Sequence, residues 1–239
     1  MQYILVDCRM RNVEKNMLKY FGYRLVNIDR SQNVYPEIAS HVDIFALKVG
    51  NNLIVEKSKY EDLLFLIKNS GYNIISGKEE VAMKYPDDIK YNVCVVGNYA
   101  IHNFKYTDKI VLKCLKENGY ELINVEQGYS NCSIAVIDES SVITTDRKIA
   151  EKLRANNFSV LLLDYIPDIK LKDEHGNYSN MTGFIGGAMG KIGNSIIVFG
   201  DLDKIDKDNK IRKFITDRKL KIIDFKGLDV VDYGGILEL

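Results

Sequence analysis

The sequence predicts a closed α/β domain built from five strand–strand–helix–strand repeats, the fifth assembled from the two ends of the chain. Three observations carry that prediction. Amphipathic helices end repeatedly on a glycine–aromatic joint, two short strands precede each helix, and the termini supply complementary halves of one repeat.

The first strand spans 2–6 and stands alone. Asn12 is placed to cap a helix whose apolar positions are Val13, Met17, Leu18 and Phe21, followed by Gly22-Tyr23 and a strand over 25–28. After a connection over 29–40 come paired strands at 44–49 and 52–56, turning at Gly50-Asn51. A helix over 57–70 then carries Tyr60, Leu63, Leu64 and Ile67 on one face and leads through Gly71-Tyr72 into a strand. A second connection, 77–90, contains Pro86. Strands at 92–96 and 99–103 turn at Gly97-Asn98, and a helix over 107–118 follows, with Thr107 as its expected cap and Ile110, Val111, Cys114 and Leu115 as its stripe. Gly119-Tyr120 and a strand over 122–125 close that unit.

The next unit pairs strands 133–137 and 141–145 and caps its helix over 146–156 with Asp146; Ile149, Ala150 and Leu153 face inward, and Asn157-Phe158 stands in for Gly-Tyr. Residues 166–183 read as a long polar loop, the kind of segment that often serves as a lid. Strands at 184–189 and 195–199 follow. Gly200-Asp201 and Asp206 then lead into a helix bearing Ile211, Phe214 and Ile215, and a strand over 220–225 ends the unit. The chain closes on Gly234-Gly235-Ile236-Leu237-Glu238-Leu239, a first strand with nothing after it.

The joint has a simple cause. The position after a helix C-cap takes the left-handed conformation, which a β-carbon disfavours and which Gly or Asn tolerates. Gly22, Gly71 and Gly119 recur at intervals of about 50 residues, the period of a repeat architecture. A doubly wound sheet also alternates strands and helices, but two strands between successive helices argue against it. Pairing one terminal strand with the other end of the chain removes exposed sheet edges.

Composition narrows the function classes. Hydrophobic residues make up 46% of the 239, enough for a sizeable core in a single domain over 1–239. Lys+Arg and Asp+Glu are both 33, so no basic excess points to nucleic acid or an anionic membrane surface. The opening segment lacks signal-peptide features, and no apolar run is long enough to span a membrane. Four scattered cysteines (Cys8, Cys94, Cys114, Cys132) and three histidines show no metal-ligand spacing. Free thiols in a cytoplasmic protein, with no metal or cofactor, are expected.

Two segments at the openings of first strands carry candidate chemistry. In His41-Val42-Asp43, a spacing of two would put both side chains on one strand face; histidine moves protons near neutral pH, and the aspartate can orient it or hold a cation. In Ser130-Asn131-Cys132-Ser133, a thiol at a polar, accessible strand start would suit a nucleophile with a lowered pKa. Cys94 and Cys114 sit on apolar stripes and read as core. His41 and Cys132 open repeats two units apart, which a five-fold ring sets across its axis.

With these residues the chain resembles the pentein, or guanidine-modifying enzyme, superfamily. His41-Val42-Asp43-Ile44-Phe45 is similar to its His-x-Asp motif, and Gly128-Tyr129-Ser130-Asn131-Cys132-Ser133-Ile134 to its nucleophile strand. The resemblance implies a five-bladed ββαβ α/β-propeller whose termini complete one blade. It also implies cysteine chemistry at a guanidinium carbon and a small-molecule ligand in the axial pocket. Two blades follow the cysteine here, where the family usually has none, so the chain is also similar to a circularly permuted, uncharacterised bacterial branch of that fold. On that permutation Asp232-Tyr233-Gly234-Gly235-Ile236 falls where the enzymes carry Glu-Gly-Gly-Asp, with Ile236 in place of an acid. The segment Gly183-Phe184-Ile185-Gly186-Gly187-Ala188-Met189-Gly190 falls where they carry another Asp, and it offers none. A buried guanidinium without partner carboxylates is costly, which argues against arginine-like substrates.

The expected activity is a Cys-dependent hydrolase or transferase acting at a C–N bond of a small molecule. Cys132 would be its nucleophile and His41 its general acid/base; Asp43, Asn131, Gly186 and Gly187 would contact the substrate. The alternative is a non-catalytic ring, like the pentein ribosome anti-association factors, that binds a ligand or protein.

Overall fold

The computed structural model describes residues 2–239. Five three-stranded sheets share one plan, in which the first strand runs antiparallel to the second and the second parallel to the third. In chain order the elements begin with β1 (Tyr3–Asp7), α1 (Asn12–Tyr20) and β2 (Arg24–Ile28). The next two units are α2 (Val42–Phe45), β3 (Ala46–Val49), β4 (Asn52–Val55), α3 (Tyr60–Ile67) and β5 (Asn73–Ser76), then β6 (Cys94–Val96), β7 (Tyr99–His102), α4 (Lys109–Glu117) and β8 (Glu121–Asn124). A third holds α5 (Ser130–Ser133), β9 (Ile134–Val136), β10 (Ser141–Thr144), α6 (Arg147–Arg154) and β11 (Ser159–Leu162). After the pair β12 (Lys170–Lys172) and β13 (Tyr178–Thr182) come β14 (Met189–Ile192), β15 (Ser195–Val198), α7 (Lys210–Thr216), β16 (Lys221–Ile223) and finally β17 (Leu237–Glu238).

The termini complete one sheet, ordered β17-β1-β2, with Leu5 opposite Leu237 and Ile4 opposite Glu238. The C-terminal strand is shorter than the six-residue run in the sequence, because Gly234 and Gly235 both take positive φ and hold the chain off the sheet.

Burial follows strand position. The middle strands β1, β4, β7, β10 and β15 are buried along almost their whole length, while the third strands β2, β5, β8, β11 and β16 are largely part-exposed or exposed. A middle strand covered on both faces must be apolar throughout, as Ile4-Leu5-Val6 and Leu53-Ile54-Val55 are. The helices add narrow stripes: Val111, Cys114 and Leu115 on α4, Ile149, Ala150 and Leu153 on α6, Ile211 and Ile215 on α7. Each fully buried Leu, Ile or Val contributes roughly 1.5–3 kcal/mol.

The left-handed joints form as the sequence predicts, at Gly22, Gly71, Gly119 and Asn157 (φ 90, 86, 74 and 65°). Three are closed by the paired hydrogen bonds of a Schellman motif: Tyr23, Tyr120 and Phe158 N–H reach back to Leu18, Leu115 and Leu153 carbonyls. The remaining unit uses Lys219, at φ 59°.

Several expectations are corrected. Asp108, not Thr107, caps α4, accepting from Ile110 and Val111 N–H, while Thr107 is drawn to His102. Arg11, not Asn12, is the cap residue of α1; its N–H and guanidinium engage Glu14, and Val13 and Phe21 lie exposed. The strand expected at 184–189 is a turn, and the first strand starts only at Met189. The polar loop 166–183 contains the antiparallel hairpin β12–β13, tied down by reciprocal bonds between Arg9 and Lys172. No helix among the described residues is long and apolar enough to cross a membrane.

Candidate active site

Each repeat contributes a residue at the same place, just ahead of its first strand. They are His41 and Asp43 before β3, Asn92 before β6, Asn131 and Cys132 before β9, Gly186 and Gly187 before β14, and Asp232 and Gly234 before β17. In two units this stretch is a single helical turn, α2 or α5, rather than the expected strand opening. His41 precedes α2 in extended conformation and Asp43 lies inside it, so strand alternation does not govern them. The turn is pinned because Val42, Ile44 and Phe45 are all buried in the core.

The turns bring the chemistry together. His41, Asp43 and Cys132 each place one ligand-type atom within 4.8 Å of the other two. The Cys132 thiol donates to Asp43 Oδ2 at 2.9 Å, and Asn131 Nδ2 donates to the same oxygen at 3.1 Å. Asn92 anchors the α5 turn: its Oδ1 accepts from Asn131 and Cys132 N–H, and its Nδ2 sits 3.2 Å from Cys132 Sγ. Asp43 thus faces the thiol. The carboxylate beside the imidazole is Asp232, whose Oδ1 is 3.7 Å from His41 Nδ1. Gly234 and Phe184 N–H groups hold the Asp232 oxygens at 2.9 and 2.8 Å.

Glycines make this closeness possible. A β-carbon on Gly186 would fall 2.2 Å from the Asn131 carbonyl oxygen, and one on Gly187 1.8 Å from Asp232 Oδ1. Gly234 passes over the cluster at positive φ, where a β-carbon would meet His41 Cβ and Asp43 Oδ1, both at 2.5 Å. The Gly186 N–H, one of the groups expected to face a ligand, is spent on the Cys132 carbonyl at 2.7 Å.

The electrostatics correct the expectation of an exposed, acidified thiol. Cys132 is buried at 2% exposure. Burial first, then the negative charges of Asp43 and Asp232, push its pKa well above the usual thiol value. Burial pushes His41 down, against the pull of Asp232 and Asp7. Asp43 is pushed up to about 6 by burial, although Cys132, Asn131 and Asn92 all donate toward it. Burial likewise raises Asp232. The resting state is therefore a neutral thiol beside a neutral imidazole. Both imidazole nitrogens of His41 and Oδ1 of Asp43 are buried with no hydrogen-bond partner among the described residues. Such orphans are rare and call for an explanation.

Asp232 and Asn92 are the site residues that sequence reasoning missed. Applying the repeat to every unit would have flagged both, since each sits where His41 and Cys132 sit in theirs. A hollow of about 300 Å³ lies along the first strands, lined by Lys48, Asn131, Ile134, Gly186, Lys191 and Ile236 among others, and meets the cluster at Asn131 and Gly186. Two larger hollows, of about 670 Å³ each, share no residue with the cluster.

Comparison with known proteins places this architecture. No curated protein matches the chain. Among solved structures, the dimethylarginine dimethylaminohydrolase DDAH from Pseudomonas aeruginosa, complexed with citrulline, is similar at a TM-score of 0.56 and 10% identity, over 95% of this chain and 91% of that one. Inosamine-phosphate amidinotransferase from Streptomyces griseus matches at 0.56 and 12% identity, over 94% and 77% of the two chains. Agmatine deiminase from C. jejuni matches at 0.53 and 14%, over 93% and 86%. The fold is the mixed α/β pentein fold. Residues 5–237 match the family of unknown function DUF6873, and the chain belongs to that family.

Proposed function

We propose that the protein is a cysteine-dependent hydrolase or transferase acting at an amidino-type C–N bond of a small molecule, with Cys132 as nucleophile and His41 as general acid/base. The observation that carries this reading is the convergence of His41, Asp43 and Cys132 within 4.8 Å, from segments far apart in the chain. The similar structures, a dimethylaminohydrolase, an amidinotransferase and a deiminase, support the reaction class. The five sheets are read as blades of one single-domain propeller around an axis, permuted so that two blades follow the cysteine. The 300 Å³ hollow along the first strands is then an axial pocket large enough for a small ligand.

In this reading His41 takes the Cys132 proton as substrate binds. The thiolate attacks the amidino carbon, and the C–N double-bond electrons move onto nitrogen. The tetrahedral adduct then breaks its C–N bond to the leaving amine, which receives the proton from the His41 imidazolium. Water, or an acceptor amine in a transferase, attacks the S–C adduct and gives its proton to His41. The S–C bond then breaks with its electron pair going to sulfur, and the departing thiolate takes the proton back from the His41 imidazolium, which restores both groups. Asp43 and Asp232 stabilise positive charge on the substrate and on the imidazolium, a role that answers the missing acid at Ile236. Asn131 and the Gly186–Gly187 backbone shape the substrate side.

Burial of all three groups and the neutral resting state of the thiol and the imidazole favour a second reading, a ring that binds a ligand without turnover. Alkylation with iodoacetamide at neutral pH, located by peptide mass spectrometry, separates the two. Catalytic chemistry predicts that Cys132 reacts despite its burial and that His41→Ala slows it. An inert Cys132 beside a reactive, half-exposed Cys8 refutes catalysis.

A further inference from the structure

We propose that His41, Asp43 and Cys132 form a transition-metal site that takes Zn²⁺ or a like divalent cation and thereby silences the thiol reversibly. The silencing, though not the binding, rests on Cys132 being the nucleophile.

The donor set fits such an ion. Thiolate, imidazole and carboxylate are the ligands borderline-soft divalent cations prefer, and three such ligands from the protein are common in zinc sites. Their atoms all lie within 4.8 Å of one another, so side-chain adjustments of a few tenths of an ångström would bring each to the usual bond length of about 2.0–2.3 Å from one ion. The hydrogen bond from Cys132 to Asp43 Oδ2 would be replaced by bonds from both groups to the metal.

The second observation is the set of orphans. His41 has both ring nitrogens buried without a partner, and Asp43 has Oδ1 in the same condition, at exposures of 0% and 5%. A cation bound there would satisfy donor atoms that the protein leaves unpaired. Charge balance agrees: a divalent cation with one thiolate and one carboxylate is locally neutral, so the burial that opposes a lone thiolate does not oppose the complex. Coordination releases the Cys132 proton to solvent. Asp232, beside the imidazole, would hold the ring in place, as carboxylates commonly do for metal-bound histidines.

The other acidic cluster in the molecule makes a useful contrast. Asp201, Asp203 and Asp224 also converge, but Lys226 Nζ already sits 3.1, 2.6 and 3.0 Å from them and supplies the cation. At His41, Asp43 and Cys132 no lysine or arginine intervenes among the described residues. His41 and Asp43 stand two residues apart, and the fold brings Cys132 to them from far along the chain.

Titration of chelator-treated full-length protein with Co²⁺ tests the site. One equivalent should produce a near-ultraviolet thiolate-to-metal charge-transfer band that Zn²⁺ abolishes by displacement. Cys132→Ser should remove the band, and Asp232→Asn should weaken binding by about 10–100-fold, with circular dichroism confirming that both variants fold. No band in the wild type, or an unchanged band in Cys132→Ser, overturns the proposal. Alkylation separates its failure from that of the catalytic reading. If Cys132 reacts equally fast with and without one equivalent of Zn²⁺, the metal site fails and the nucleophile stands. If Cys132 is inert in chelator but the Co²⁺ band forms, the nucleophile fails and the metal site stands.

Discussion

Two histidines are buried to 0% exposure in this fold, with opposite hydrogen-bond accounts. His102, at the end of β7, meets Thr107 Oγ1 at 2.6 Å through Nδ1 and the Gly128 carbonyl at 2.9 Å through Nε2. Burial pushes its pKa down to about 4, and both nitrogens are satisfied by a neutral ring. His41 is equally buried, yet neither nitrogen has a partner, and a carboxylate and a thiol stand beside it. The difference teaches that burial alone does not distinguish a structural histidine from a functional one. What distinguishes them is whether the surrounding groups complete the ring's bonding or leave it open.

The largest effect that sharpens this contrast is on reactivity. His41→Ala should slow Cys132 chemistry by about 10²–10⁴-fold, the usual contribution of a general acid/base, as read from alkylation rates at Cys132. Its stability should change less than that of His102→Ala, because no hydrogen bond is broken. A large loss of stability with unchanged reactivity would make His41 a second structural histidine.

Gly187→Ala attacks the same cluster through packing. A β-carbon 1.8 Å from Asp232 Oδ1 must displace that carboxylate and free the Phe184 and Gly234 N–H groups. Urea denaturation should show a loss of about 3 kcal/mol. His102→Ala should cost about 2 kcal/mol, because Thr107 and the Gly128 carbonyl lose their partner, while Cys132 keeps its reactivity.

The smallest effect is a pH slope. Burial holds the Asp43 carboxyl up to about 6, against an ordinary 3.8. The folded protein therefore binds that proton more tightly than the unfolded chain. The stability this supplies is complete below pH ~4 and is lost as pH rises through about 6. Asp43→Asn suffers no such loss. Its stability relative to wild type should rise by on the order of 1–2 kcal/mol between pH 4 and pH 7, measured by denaturation at each pH. A flat difference would mean that Asp43 is ionised throughout.

What the sequence made legible follows the same division between local and assembled structure. The joints at Gly22, Gly71, Gly119 and Asn157 were readable because one residue's left-handed preference decides each. Lys219 performs the same turn without any such signal, because lysine has no left-handed preference to read. The helical turn α2 was hidden because Val42-Asp43-Ile44-Phe45 runs without a break into the apolar β3. The β12–β13 hairpin was hidden because β12 is only three residues long and β13 is mostly exposed, with no apolar alternation. His41 and Cys132 were legible as motif residues. Asp232 was legible only by carrying the repeat through to the unit shared by the two termini, where the pairing of β17 with β1 sets it beside His41.

The central claim is that the cluster recognises an amidino carbon and delivers the Cys132 sulfur to it. The direct test compares alkylation by 2-chloroacetamidine, which carries an amidinium, with that by neutral 2-chloroacetamide at neutral pH, quantified at Cys132 and Cys8 by peptide mass spectrometry. Carboxylates at Asp43 and Asp232 predict that Cys132 prefers the amidinium by about tenfold or more, that Cys8 shows no preference, and that His41→Ala abolishes the effect. Equal rates with the two reagents at Cys132, or modification confined to Cys8, would contradict it.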